Sequence, residues 1–232
     1  MLHLDATATA APLGWPALID ALRSAFIEGR EVPLRHTHHI DDPDGRGGTV
    51  LLMPAWRPGR YLGIKTVTIF PGNTDRGLPG LHSLYTLFDA RTGVPLAQLD
   101  GNEITSRRTA AAAALAASFL ARADASRLLV LGSGRVAQHL APAMRTVRSI
   151  TQVQVWNHRP EGALALARQW RAEGFDAQAA TDLRAAVEQA DIVSCATLAE
   201  SPLVCGEWLR EGTHLDLIGS FTPRMRESDA AC

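Results

Sequence analysis

Two rhythms of hydrophobic and polar positions divide the chain. Between residues 49 and 99, apolar and polar residues alternate in short runs: TVLLMP (49–54), YLGIKTVTIF (61–70), SLYTLFDA (83–90) and VPLAQL (94–99). A period of two predicts strands, the last pair forming a hairpin around Arg91-Thr92-Gly93, and successive strands of this kind give an antiparallel or mixed sheet. Ahead of them, PALIDALRSAFIE (16–28) spaces Leu18, Leu22, Ala25 and Phe26 along one helical face. Pro16 suits the first turn of that helix and Gly29 its stop. Behind them, a helix is expected from about Glu103 to Arg122, capped by Asp100 or Asn102, with a small face at Ala111 to Ala114 that allows close packing.

From Arg127 the rhythm changes again. Strand LLVLG leads to a helix from Val136 to about Val147, then strand QVQVWN, a helix over 161–173, a weak strand near Ala177, a helix over 182–189, and strands DIVSCAT and THLDLIG. Strands separated by helices imply βαβ crossovers and a parallel sheet. The boundary between the two patterns is placed near Ala123, giving segments 1–122 and 123–232.

Composition narrows the class. The chain has 232 residues, 46% hydrophobic, with Lys+Arg 23 against Asp+Glu 24 and a formal net charge of -1. That supports a packed core and gives no reason to expect nucleic acid as a partner. The first residues, MLHLDATATAAPLG, lack the basic start and apolar core of a secretory leader, and no run of about 18 apolar residues suggests a membrane span. Three cysteines, Cys195, Cys205 and Cys232, without CxxC spacing argue against a disulfide framework or a zinc site, and a cytoplasmic protein is expected.

Candidate chemistry begins at LVLGSGRVAQHL (129–140). Two glycines after a strand often make only a turn, but here a strand precedes and a helix pattern follows. Gly132 suits the tight turn, Gly134 lets backbone approach a pyrophosphate, and Ala137 lets the helix pack on the strand, while Ser133, Arg135 and Val136 complete the loop. A Rossmann-type doubly wound α/β domain that binds a dinucleotide is therefore expected, preceded by an α+β domain. Where an NAD site usually carries an acid, about 20 residues past the glycines, the chain has Asn157-His158-Arg159. Asn157 can bond a ribose hydroxyl, and Arg159 with His158 can neutralise a 2′-phosphate, which favours NADPH over NADH. The plain alternative for Arg159 is a solvated charge. Thr197, at the end of DIVSCAT, falls where cofactors lie in open α/β sheets.

In the first segment, Lys65 shares a strand face with Tyr61, Gly63, Val67 and Ile69. An ammonium on an apolar face tends to lose proton affinity, which suits acid–base work, although an edge strand with an open face would also accept it. Arg35 and Arg108, each judged alone, read as surface charges.

The stretches GIKTVTIFPGN, LFDARTGVPLAQLDGNEITSRRTAAAAALAASFLAR and LVLGSGRVAQ, in this order, resemble the ornithine cyclodeaminase and mu-crystallin family. The resemblance runs from about Val32 to the C-terminus. It implies a substrate-binding and dimerisation domain followed by an NAD(P)-binding Rossmann domain, a homodimer, and interconversion of amino acids and imines. It also implies that Arg35 and Arg108 grip the substrate carboxylate and that Lys65 is the catalytic lysine, its pKa lowered by the two guanidinium groups. His82 is expected after a turn at the mouth of the site, as an auxiliary acid or a plain surface residue.

Two departures from the family pattern refine that expectation. Cyclodeaminases proper carry a glutamate and an aspartate at places held here by Leu51 and Phe221. Without those acids, expelling ammonia from ornithine is less expected than reducing a preformed cyclic ketimine, Δ1-pyrroline-2-carboxylate or Δ1-piperideine-2-carboxylate. Ornithine cyclodeamination and non-catalytic nucleotide binding are the alternatives. Family members also continue for several tens of residues past the segment at Glu227, so the Rossmann portion reads as truncated at its C-terminal end. His36 and His38 would share a strand face, but no acid or cysteine at ligand spacing accompanies them and no metal is expected. Cys195 reads as a small buried hydrophobe.

Overall fold

A computed structural model describes residues 1–43 and 45–232, with Thr74 described by its backbone only. It divides into two compact units: unit 1 comprises Met1–Gly14 and Arg23–Thr105, and unit 2 comprises Trp15–Leu22 and Ser106–Cys232.

Unit 1 is built on a six-stranded sheet. Its strands are β1 (Leu2–Leu4), β2 (His36–Ile40), β3 (Gly48–Trp56), β4 (Tyr61–Ile69), β5 (Leu81–Asp89) and β6 (Pro95–Asp100), in the spatial order β1-β6-β5-β4-β3-β2. All neighbours are antiparallel except β1 and β6, so the sheet is mixed. Strand β1 and the short helix α1 (Ala6–Ala10) were not foreseen, because a three-residue strand carries no periodicity. Thr9 secures both: its hydroxyl donates to Leu4 O and accepts from Asp100 N.

The predicted hairpin is present. Asp89 accepts from the backbone of Arg91 and Thr92 at 2.8 and 2.9 Å, and Gly93 takes the left-handed conformation with φ 72°. The short Asp side chain nucleates the turn by standing in for a backbone acceptor. The sheet faces are unequal. Leu51, Gly63, Val67, Ser83 and Ala97 are buried, and the register places all five on the face that carries Lys65.

Helices α2 (Trp15–Glu28) and α3 (Gly101–Leu120) both run through the division between the units. The division falls at Thr105/Ser106, earlier than the expected break near Ala123. The reason is the alanine face: Ala110, Ala111, Ala113, Ala114 and Ala117 are all buried in the unit 2 core with Leu128, Val130 and Ile19. Side chains this small let a helix approach the sheet closely, so most of α3 belongs with the parallel layer. Of the two foreseen caps, Asp100 serves, accepting from Glu103 N at 2.8 Å.

Unit 2 is the expected doubly wound layer. Its strands β7 (Arg127–Leu131), β8 (Gln152–Trp156), β9 (Asp176–Ala179), β10 (Ile192–Cys195) and β11 (His214–Leu217) are all parallel in the order β11-β10-β7-β8-β9. Helices α4 (Leu140–Val147), α5 (Pro160–Ala172) and α6 (Leu183–Gln189) connect them. The strand order reverses between β7 and β10, and that switch point is where open α/β sheets bind ligands.

One helix differs from expectation. In place of a continuous helix from Val136, a 3₁₀ turn at Ala137–His139 precedes α4. Pro142 has no N–H to return to Gln138 O, and its ring crowds that carbonyl, so the first turn tightens. The Trp170 indole supplies the missing donor, reaching Gln138 O at 3.1 Å. At the opposite end of the sheet, Asp191 joins three elements, accepting from Ser126 N, Arg127 N and Arg122.

Candidate functional site

In unit 2 the site is built from the carboxyl ends of the strands. Leu128, Leu129, Val130 and Leu131 are buried as β7, and the chain then turns at Gly132 with φ 103°. A side chain on Gly132 would be strained by that backbone and would stand 2.5 Å from Ala196 O. Glycine is therefore required at this position by the fold itself.

Gly134 is different. Its φ is not positive, and a Cβ added there would meet nothing within 4 Å. The fold leaves this position open, as close approach by a group from outside the chain demands. The backbone amides of Ser133, Gly134, Arg135 and Val136 donate to no described residue. Unused N–H groups beside an open glycine suit a pyrophosphate. Ala137 is fully buried, so the third position of the motif packs the turn on the sheet. These features fit a dinucleotide.

The second strand ends beside this loop. Asn157 donates to Arg159 O at 3.0 Å, which shapes the turn, and His158 and Arg159 are exposed. Sequence reasoning missed Gly162 in the first turn of α5. A Cβ there would collide with Ser133 Oγ and stand 2.7 Å from Asn157 Nδ2, so glycine lets α5 close against the glycine loop that follows β7. Helix periodicity contains no signal for such a contact.

Thr197 follows β10, as foreseen, but its polar groups are already held. Both its N–H and its hydroxyl donate to Glu227 Oε1 at 2.7 Å, and Gly219 N donates to Glu227 Oε2 at 3.0 Å. Glu227 is 2% exposed. It too was missed, because a glutamate among Arg224, Arg226 and Asp229 reads as a solvated loop residue. Cys195 is buried as expected, and burial pushes its thiol pKa upward, so it is inert as a nucleophile.

A second buried polar group lies across β10 and β11. Ser194 donates to Asp216 Oδ1 at 2.6 Å, while Asp216 Oδ2 and His214 Nε2 are 3.9 Å apart and neither has a hydrogen-bond partner among the described residues. Burial pushes the Asp216 carboxyl up to about 7 and pulls the His214 imidazole down. A protonated Asp216 beside a neutral His214 buries no charge, and at 3.9 Å the two atoms lie beyond direct hydrogen-bond distance.

In unit 1, Lys65 lies on the more buried sheet face, paired with Met53 on β3 and Tyr85 on β5. Its Nζ donates to Thr105 Oγ1 at 3.4 Å, so α3 begins beside it. A Cβ on Gly63 would collide with the Tyr85 hydroxyl, which therefore lies over β4 two residues from Lys65. Burial raises the Tyr85 pKa above the usual tyrosine value, leaving a neutral phenol. Leu51, where a cyclodeaminase-like acid was sought, is buried on this same face, opposite Val67.

The remaining candidates divide. Arg35 is exposed just before β2 and pairs with no described residue. Arg108, on the unit 2 part of α3, likewise has no ion-pair or hydrogen-bond partner among them. Although Arg108 retains exposed surface, the protein around it displaces enough water to lower its pKa, and it stays charged at any working pH. His82 requires a correction. It belongs to β5 and pairs with Thr68, so strand alternation turns it to the face opposite Lys65 rather than to a loop at the mouth. His36 and His38 share that opposite face, exposed on β2. Phe221 is exposed in the loop after β11.

Unit 2 thus has the class of a Rossmann-type nucleotide-binding layer, and unit 1 presents a lysine on a covered sheet face. The model of the ornithine cyclodeaminase/mu-crystallin family matches residues 15–231, and the chain belongs to this family. An uncharacterized protein of Schizosaccharomyces pombe is 49% identical over 227 residues, covering 95% of this chain and 69% of that one. The Delta(1)-pyrroline-2-carboxylate reductase of Paracoccus denitrificans is 40% identical over 222 residues, covering 94% of this chain and 68% of its own. Among solved structures, that of Thermococcus litoralis Delta(1)-pyrroline-2-carboxylate reductase with NADH and L-proline superposes with a TM-score of 0.89 at 31% identity, covering 100% of this chain and 72% of that one. The chain is therefore shorter than these relatives. No helix among the described residues is long and apolar enough to cross a membrane.

Proposed function

We propose that the chain reduces the C=N bond of a cyclic ketimine carboxylate, Δ1-pyrroline-2-carboxylate or its six-membered homologue, to the cyclic L-amino acid, with NADPH as the preferred cofactor. The observation that carries the choice of reaction is the surroundings of Lys65. Its cross-strand neighbours are Met53 and Tyr85, and the nearby acid position is the buried Leu51. Deaminating a diamine requires groups that take protons from one nitrogen and stabilise another as ammonium. Reducing a ready-made imine requires one proton, delivered to nitrogen.

The bound nicotinamide supplies the hydride that the imine carbon accepts. In this reading Arg35 and Arg108 hold the substrate carboxylate, each guanidinium offering the two parallel donors that fix its orientation. Lys65 holds the proton for the nitrogen, and Thr105 restrains the ammonium while the site is empty. The amides of Ser133 to Val136 take the pyrophosphate, and Arg159 with His158 takes the 2′-phosphate that distinguishes NADPH. His82, on the sheet face opposite Lys65, has no part in this reading.

The reading extends to a cytoplasmic homodimer. Its support is the family resemblance, the free state of all three cysteines, and the apolar residues of unit 1 left in solvent, with Val32 69% and Leu34 91% exposed. The test of function is imine-dependent oxidation of NADPH, run beside an assay for ammonia released from ornithine with NAD. Oxidation without ammonia supports the proposal, and ammonia with proline overturns it.

A further inference from the structure

We infer that Glu227 is a positioning residue for the nicotinamide end of the cofactor: its buried carboxylate pins Thr197 between Gly132 and Gly219 and so fixes the wall on which that end rests. The inference rests on the proposed reading of unit 2 as a nicotinamide-dinucleotide site.

The geometry is specific. Three donors converge on one carboxylate, Thr197 N and Thr197 Oγ1 on Oε1 and Gly219 N on Oε2. They come from the carboxyl ends of two neighbouring strands, β10 and β11. Two glycines make this convergence possible. A Cβ on Gly219 would collide with the backbone of Thr197 and stand 2.5 Å from Glu227 Oε1, while a Cβ on Gly132 would stand 2.5 Å from Ala196 O and 3.5 Å from Thr197 Cγ2. Thr197 is thus wedged between the ends of β7 and β11 and tied down by Glu227. A carboxylate that is 2% exposed is expensive to bury, and only a full set of donors makes it tolerable. Removing one acceptor leaves a buried N–H unpaired and frees the wedge.

The sheet order says which end of the cofactor feels this. The switch point lies between β7 and β10. Gly134 and Asn157 to Arg159 follow β7 and β8, on the adenosine side. Thr197 and Gly219 follow β10 and β11, on the other side of the switch. A ligand reaching only the first side should not sense Glu227.

That separation supplies the test. Binding of NADPH and of 2′-phospho-ADP-ribose, which lacks the nicotinamide, is measured on wild type, Glu227→Gln and Gly219→Ala, and repeated with NADH and ADP-ribose. Gly219→Ala keeps the Glu227 side chain but crowds both Thr197 and the carboxylate, so the inference does not depend on one variant folding. Melting curves accompany each. Both variants should weaken the whole dinucleotide about tenfold or more, the worth of one charge-assisted hydrogen bond, and leave the fragment within about twofold. Equal weakening of both ligands would mean that Glu227 merely holds unit 2 together, and no weakening of either would remove its role. Imine turnover by the wild type is scored separately. If the variants show the binding asymmetry while the wild type fails to reduce the imine, the proposed reaction is refuted and the role of Glu227 stands.

Discussion

Gly134→Ala separates what the fold needs from what the cofactor needs. The glycine has no positive φ, and the added methyl would meet nothing of the protein within 4 Å. Alanine at a compatible position restricts the unfolded chain and stabilises by about 0.4–1 kcal/mol. For a chain of this size that is a rise in melting temperature of about 1–4 °C. The same methyl points into the space assigned to the pyrophosphate, where it would hold the phosphate off the amides of Ser133 to Val136. Losing one hydrogen bond to a charged group there costs about 1.5–3 kcal/mol, or roughly 10- to 150-fold in affinity. Gly132→Ala is the control. Its φ of 103° and the 2.5 Å approach to Ala196 O predict a loss of folding stability of about 1–3 kcal/mol or more. Melting curves of the free protein and calorimetric titration with NADPH read both quantities. If Gly134→Ala binds NADPH as the wild type does, or melts as early as Gly132→Ala, the assignment of the loop is wrong.

Three further outcomes are expected. Asp216→Asn should raise the melting temperature at pH 8 and leave it nearly unchanged at pH 4. The Asp216 carboxyl titrates near 7 when folded against 3.8 unfolded, so its contribution is fully present below pH 4 and is lost as the pH rises to about 7. The loss is bounded at about 4 kcal/mol, and an asparagine amide can still accept from Ser194 while carrying no charge to desolvate. Equal or greater destabilisation at pH 8 would show that the carboxylate is satisfied in its charged form. Lys65→Ala should lower kcat for imine reduction by about 10²-fold or more while NADPH affinity stays within a few-fold, as measured by steady-state kinetics and titration; retained turnover would remove Lys65 from the chemistry. Arg159→Ala should weaken NADPH but not NADH, and an equal effect on both would make Arg159 an ordinary solvated charge.

The legibility of this molecule follows from the range over which each signal acts. The parallel layer was readable because β7 and β10 are largely buried strands, β8 alternates buried valines with glutamines, and helix-length segments separate them. The glycine motif was readable because both its strand and the following turn are local. The face carrying Lys65 was readable because strand alternation is strict. Features that depend on long-range contacts were not. The break before α4 comes from Pro142 answered by Trp170, 32 residues beyond Gln138. The assignment of α3 to the parallel layer depends on where its alanines pack, which helical spacing does not reveal. His82 was misjudged because a glycine-rich approach hid the start of β5, and one residue of register decides which face a strand side chain takes. Glu227 reaches back 30 residues to Thr197, and nothing adjacent to it marks it as buried.

The central claim is that this chain reduces a cyclic imine carboxylate rather than deaminating a diamine. The most direct measurement is the disappearance of the reduced-nicotinamide absorbance of NADPH with freshly prepared Δ1-pyrroline-2-carboxylate, with the product analysed as proline and ammonia followed in parallel from ornithine with NAD. The account predicts stoichiometric formation of L-proline with loss of NADPH and no ammonia. Release of ammonia from ornithine, or no proline at any imine concentration while NADPH binds normally, would contradict it.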